Sequence, residues 1–235
     1  MGRRSDHTRA ELEALIIEAA HRHMAQAGYA LFSARHVARE IGYSVGTIYN
    51  VIGSHNRLIL TLNGVTLDQW SDVLTTRLER VAPEDDRIAA LVEGYFEFAQ
   101  RNPKLWSALY EHHLPEGEVM PPSYREKLER LLGVITGEVQ REIGADPREQ
   151  AASLSHSLIA SVHGHCAFAL NGAFALMGGE FPMRDAYARV REAIEAQKGR
   201  AAARVAARTV RRRTLLAHDG PRHLIAGKVD RRSEV

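Results

Sequence analysis

Helix-capping residues and helix-stopping glycines recur along this chain every few helical turns, and strand signals are nearly absent. That punctuation leaves room for helices and little else, so an all-α fold is expected. The first helix runs from about Thr8 to Ala27, with Leu12, Leu15, Ile16, Ala19, Ala20 and His23 on one stripe. Gly28 then supplies the left-handed stop. Ser33 can cap a short helix over Ala34 to Ile41, turning Val37, Ala38 and Ile41 inward. Gly42-Tyr43 makes a turn, and Ser44 can cap a second short helix, about Val45 to Ile52. Ser54 heads a long fourth helix, from His55 to about Arg80.

Proline at first helical positions marks most later starts. Pro83 is expected to open a helix with Glu84, Asp85 and Asp86 in its first turn, where acidic groups suit the helix dipole. Asn102-Pro103 is a cap and proline opening Lys104 to His112, and residues 114–123 form a loop. Tyr124 to Ile143 is helical and ends at Gly144. Asp146-Pro147 starts a long helix to about Leu176, Gly178-Gly179 breaks it, and Pro182 starts the last helix, to about Gly199 or beyond. The total is about nine helices, with no repeat at solenoid periods.

The 235 residues are 45% apolar, enough to bury a substantial core. A single cysteine, Cys166, excludes an intrachain disulfide and the CxxC zinc folds. The charged N-terminus lacks an apolar secretory segment, and a cytoplasmic location is expected. Residues 150–179 hold no Asp, Glu, Lys or Arg, but their His, Asn, Ser and Gly make a buried helix a better reading than a membrane span. Charge is uneven: residues 1–60 carry 7 basic and 5 acidic side chains, 61–197 carry 13 and 21, and 198–235 carry 11 and 3. Basic ends flank an acidic middle, so the ends can meet phosphates while the middle is repelled by them. Residues 200–235 read as a basic, poorly ordered tail.

Three helices with a short middle pair and a glycine turn read as a helix-turn-helix. With Ile48 inward, the helical step puts Val51 and Ile52 on the same side and Gly46 and Asn50 outward. Val45 and Tyr49 lie on one flank and Thr47 on the other. A small residue at the helix entry permits close approach to base edges, which Thr, Tyr and Asn can then read in the major groove.

The stretch AREIGYSVGTIYNVIGSHNRL, residues 38–58, resembles the TetR/AcrR family of bacterial transcriptional regulators in length, order and punctuation. Val51 stands where that family has Tyr or His, Ile52 where it has Phe, and His55 where it has Lys. The resemblance implies an N-terminal three-helix DNA-binding domain (1–54), a helical ligand-binding and dimerisation domain (55–199) and the basic tail (200–235). It implies DNA contacts from Ser33, Arg35 and His36, from Ser44, Val45, Gly46, Thr47, Tyr49 and Asn50 on the recognition helix, and from His55 where helix amides meet phosphate. Arg3, Arg4 and Arg9 would form a basic arm. Packing alone is the other reading of Tyr49, and a solvated surface residue that of Arg35.

The run Val162-His163-Gly164 is similar to the Trp-His-Gly type of C-terminal domain in the same family, with Val162 in place of Trp. The family implies a homodimer on double-stranded DNA, held by its last two long helices. Gly164, Ala160, Ala167 and Ala173 allow close helix approach there, and Leu170 and Phe174 supply apolar area. It also implies a pocket for a small, mostly apolar effector near Trp70, Tyr95, Phe98, Trp106, Tyr110, His113 and His163; aromatics at helical spacing can equally be core. The expected function is a ligand-responsive regulator, most simply a repressor, with no cofactor. A metal-responsive regulator is the alternative, since His156, His163 and Cys166 share a helical face and His112-His113 can add a ligand. GxSxG, P-loop and strand-preceded GxGxxG signatures are lacking, so no catalytic residue is assigned.

Overall fold

A computed structural model describes residues 7–144 and 148–218. Among them the chain forms ten α-helices, one 3-10 turn at Tyr29–Leu31 and no strand. The helices are α1 (Arg9–Ala27), α2 (Ala34–Glu40), α3 (Val45–Ile52), α4 (His55–Glu79), α5 (Arg87–Arg101), α6 (Pro103–Glu111), α7 (Pro122–Ile143), α8 (Arg148–Leu170), α9 (Ala173–Leu176) and α10 (Pro182–His218). Two compact units divide the chain, Met1–Ile194 and Glu195–Val235. In the second, α10 carries local pairs, Lys198 with Glu195 at 2.9 Å and Arg200 with Gln197 at 3.0 Å.

The N-terminal helices start where their caps dictate. The hydroxyls of Ser33, Ser44 and Ser54 accept from the amides of His36, Thr47 and Arg57 at 3.3, 3.0 and 3.1 Å. Thr8 and Glu11 form a reciprocal capping box at the head of α1. Two apolar cores fill the first unit. One gathers Leu12, Ile16 and Met24 of α1, Val37 of α2, and Ile48 and Ile52 of α3. It is completed by Leu58 and Leu62 of α4 and by Leu105 and Ala108 of α6. The other surrounds Trp70, Leu74, Tyr95, Phe98, Trp106, Val162 and Val190. Helices α4 and α6 therefore belong to both cores.

An ion pair locks the far end of α4. Arg87 donates to both oxygens of the buried Glu138 at 2.8 and 2.9 Å, and to the carbonyls of Leu78 and Val81 at 2.9 and 3.1 Å. Arg87 thus ties the C-terminal turn of α4 to α7 and adds hydrogen bonds to carbonyls in and just after that turn.

The structure corrects four expectations of the sequence. Pro83 does not open a helix: α5 starts at Arg87, and Asp86 caps it by accepting from Ala89 N at 2.9 Å. A side-chain cap one residue before the apolar run outcompetes a proline set further back. The helix expected to reach Leu176 breaks at Asn171-Gly172, where Gly172 takes φ +80° and Asn171 Oδ1 accepts from Ala173 N. Asn102 makes no side-chain cap; its amide donates back to Phe98 O at 3.2 Å. Finally, α10 continues to His218, through half of the stretch read as a poorly ordered tail. Alanine and arginine, both strong helix formers, dominate residues 200–213, so the helix persists without an apolar stripe. Residues 219–235 of the expected tail lie outside the described residues.

Candidate functional site

Helix α3 is short and firmly seated. Ile48 and Ile52 are buried in the N-terminal core, and Val51 packs at its edge. That anchoring fixes what the opposite face shows: Gly46 and Asn50 are exposed, with Val45, Thr47 and Tyr49 half-buried on its flanks. The Ser44 hydroxyl, besides capping, lies 2.9 Å from the Thr47 hydroxyl, so the cap also orients Thr47. Tyr49 packs partly against the core and keeps its remaining surface outside. On α2, Arg35 and His36 are exposed, and the His36 ring stacks on His23 with centroids 4.3 Å apart. Burial and the neighbouring His36 lower the pKa of His23, whose Nε2 accepts from Ser33 N at 3.3 Å. His55, the exposed first residue of α4, meets Phe32 ring to ring.

All ten residues predicted from sequence to face DNA thus lie on α2, on α3, at their caps or at the head of α4. Of the expected basic arm, Arg3 and Arg4 lie outside the described residues. Arg9 is not free: its guanidinium donates to Val51 O at 3.3 Å, where the negative end of the α3 dipole attracts a cation.

A second constellation lies in the other core. Trp70 stacks on Phe98 with centroids 5.1 Å apart and meets Tyr95 edge-on at 4.8 Å. Trp106 stacks with His163 at 4.8 Å, and Tyr110 leans on His163 at 4.1 Å. The Tyr95 hydroxyl lies 3.0 Å from His163 Nδ1 and 3.2 Å from the Tyr110 hydroxyl. Burial pushes the Tyr95 and Tyr110 hydroxyls up and His163 down, so all three favour their neutral forms at pH 7. Among the described residues the buried indole N–H of Trp70 has no hydrogen-bond partner. An apolar hollow of about 40 Å³, lined by Leu74, Tyr95, Val139 and Val162, adjoins the rings.

Six of the seven residues predicted to line an effector pocket therefore meet in one cluster. His113 does not: it is exposed on the loop after α6, with Nδ1 3.0 Å from Glu111 O. Its neighbour His112 turns inward instead, toward the Tyr29 hydroxyl at 3.1 Å. The expected metal face does not converge either. His163 is engaged by Tyr95, His156 is exposed, and burial pushes the Cys166 thiol up to about 12. Among the described residues no group of three or more His, Cys, Asp or Glu is placed to hold a metal ion.

The sequence reading missed the element joining the two sites. Helix α6 sends Leu105 and Ala108 into the N-terminal core and Trp106 into the aromatic cluster. Its backbone is held as well: Asn63 Nδ2 of α4 donates to Ala108 O at 3.0 Å, and the Lys104 ammonium donates to Gln26 O at the end of α1. Two stripes in Leu-Trp-Ser-Ala-Leu-Tyr (105–110), Leu105/Ala108 and Trp106/Tyr110, were the available signal.

Comparison with known proteins places these features in context. Residues 16–51 match a family model described as bacterial regulatory proteins of the tetR family, and residues 88–196 match one described as a tetracyclin repressor-like C-terminal domain. The HTH-type transcriptional regulator Rv1816 of Mycobacterium tuberculosis is 31% identical over 150 residues, as is Mb1846 of Mycobacterium bovis. Each match covers 62% of this chain and 58% of the relative, so little more than half of those proteins is spanned. A solved protein of unknown function from Rhodococcus sp. RHA1 superposes with TM-score 0.63 at 19% identity, covering 83% of this chain and 98% of that one. The multidrug binding protein EbrR, complexed with imidazole, superposes with TM-score 0.55 at 19% identity, covering 80% and 96%. A tetR-family transcriptional regulator from Streptomyces coelicolor gives TM-score 0.58 at 16% identity, covering 94% of both chains. These structural likenesses show the fold.

Proposed function

The chain belongs to the TetR family of transcriptional regulators, DNA-binding proteins and not enzymes, and from that premise we propose that it is a cytoplasmic repressor that binds a palindromic operator as a homodimer and is released by a small, mostly apolar effector. The observation that carries the reading is the seating of α3: Ile48 and Ile52 fix the helix while Gly46 and Asn50 stay exposed. Thr47, Tyr49 and Asn50 then read base edges, and Ser33, Arg35, His36 and His55 meet phosphates. Ser44, Val45 and Gly46 bring the head of the helix into the groove. No helix among the described residues is long and apolar enough to cross a membrane.

Pairing of two copies supplies the second recognition helix, about one DNA turn away. Exposed Phe168 and Leu170 of α8, Leu176 and Met177 at α9, and Phe181 and Met183 at the start of α10 offer an apolar surface for that pairing.

The aromatic cluster is the effector region. The hollow beside Tyr95 is far smaller than the roughly 300–1,000 Å³ of ordinary ligand pockets. A ligand must therefore part the rings, and Trp106 cannot move without moving α6. Because α6 also packs into the N-terminal core through Leu105 and Ala108, that displacement alters the setting of α1 and α3. The buried indole N–H of Trp70, without a partner among the described residues, suits a ligand carrying a hydrogen-bond acceptor. Release follows only if the ligand binds the parted state more tightly than the closed one.

The test is binding to promoter fragments from the chromosome that encodes the protein. Asn50→Ala and Thr47→Ala are expected to lower sequence discrimination, and Arg35→Ala to lower affinity on all sequences alike. Operator binding indifferent to all three substitutions rejects the assignment.

A further inference from the structure

A polar cleft of about 510 Å³ opens where the end of α3 faces α4 and the start of α7. It lies apart from the aromatic cluster, and its volume falls within the range of ligand pockets. Three cations line it, Arg9, Arg57 and Lys127, against one carboxylate, Glu13. Lys127 is paired with Asp68 at 2.6 Å, but Asp68 also holds Arg130, so the pairing leaves positive charge in excess. Arg57 makes no side-chain hydrogen bond or ion pair among the described residues, and all its donors are available.

Glycines hold both long side chains in place. Lys127 lies across Gly64, where a Cβ would come within 3.2 Å of its Cδ. Arg57 lies across Gly53 at the same distance. Gly64 sits inside α4, where glycine is a poorer helix former than alanine. Its presence there is accounted for by the passage of the lysine. The N-terminus of α7, which has no side-chain cap and lines the cleft through Pro121 and Ser123, adds its positive dipole end to the same wall.

We propose that this cleft binds a small oxyanion of more than one negative charge, a polycarboxylate or free phosphate, gripped by Arg57 and Lys127. A fork-shaped guanidinium with no partner among the described residues, lining the same cleft as an ammonium, is a donor set that such oxygens fill. The occupant bridges α4 and α7 beside the last turn of α3. A second effect, on DNA affinity, rests on the regulatory function proposed above; binding itself does not.

The experiment is calorimetric titration of the full chain, without DNA, with citrate and separately with inorganic phosphate at constant ionic strength. Saturable binding at one site per chain is expected for at least one of them. Arg57→Gln should weaken it about tenfold or more with an unchanged melting temperature. Gly64→Ala, which displaces Lys127, should weaken it as well. Absence of saturable binding by either anion, or equal binding by Arg57→Gln, overturns the proposal. So does the outcome in which neither anion binds while Arg57→Gln lowers DNA affinity and its salt slope by about one, since the cleft then serves DNA phosphate. Failure of the DNA-binding reading appears separately, as loss of duplex selectivity with anion binding intact.

Discussion

Replacing Arg87 with methionine should unfold the protein at a distinctly lower temperature. The side chains of Arg87 and Glu138 are 15% and 9% exposed, so the pair is largely withdrawn from water. Methionine preserves the apolar stem but removes two bonds to Glu138 and two to the carbonyls of Leu78 and Val81. Breaking a buried pair from one side costs about 3–5 kcal/mol, because a charge stays behind. Arg141, 3.5 Å from Glu138 and well exposed, compensates in part, which favours about 3 kcal/mol. For a chain of this size that lowers the melting temperature by roughly 6–12 °C. The double variant Arg87→Met/Glu138→Leu removes the stranded carboxylate and should recover most of the loss. Thermal unfolding by circular dichroism, at one protein concentration throughout, measures both. A single variant within about 1 kcal/mol of wild type, or a double variant less stable than the single, refutes the reasoning.

Three further predictions concern two helical glycines and the half-buried histidines. Gly94→Ala should destabilise by about 1–3 kcal/mol, because its Cβ would lie 2.8 Å from Leu74 Cδ2 and 3.2 Å from Arg77 Cδ between α4 and α5. Gly133→Ala on α7, with open space around it, should instead stabilise by roughly 0.5–1 kcal/mol; denaturant titration of the two variants reads the opposite signs. Burial lowers the folded-state pKa of His21, His23, His112 and His163, so their neutral forms contribute stability that is complete above the unfolded value of about 6.5 and lost as pH falls from there through the folded values. Melting temperatures at pH 7.5 and 5.5 should differ less in His163→Phe than in wild type, and an equal difference contradicts this.

Much of the N-terminal half was legible because its punctuation is local. Ser33, Ser44 and Ser54 each satisfy an amide three residues on, a relation written in the sequence itself. The inward set Ile48 and Ile52 follows from helical geometry alone. The α5 start was misread because Pro83 and Asp86 both signal a helix N-terminus, and only the fold shows which is used. Six of the seven expected effector residues came together because large aromatics seek one another in a core; His113 was misplaced because nothing local distinguishes it from His112. The bridging role of α6 was invisible for a different reason. It depends on two cores meeting on opposite faces of one nine-residue helix, which only tertiary packing reveals.

The central claim is that α3, seated by Ile48 and Ile52, reads DNA through Thr47, Tyr49 and Asn50. Selection from a random pool of duplexes, followed by sequencing, tests it most directly. The account predicts enrichment of a palindrome whose half-sites lie about one helical turn apart, and loss of preference at matching positions of both half-sites in Asn50→Ala. A pool that stays unenriched, or an identical motif selected by the variant, contradicts it.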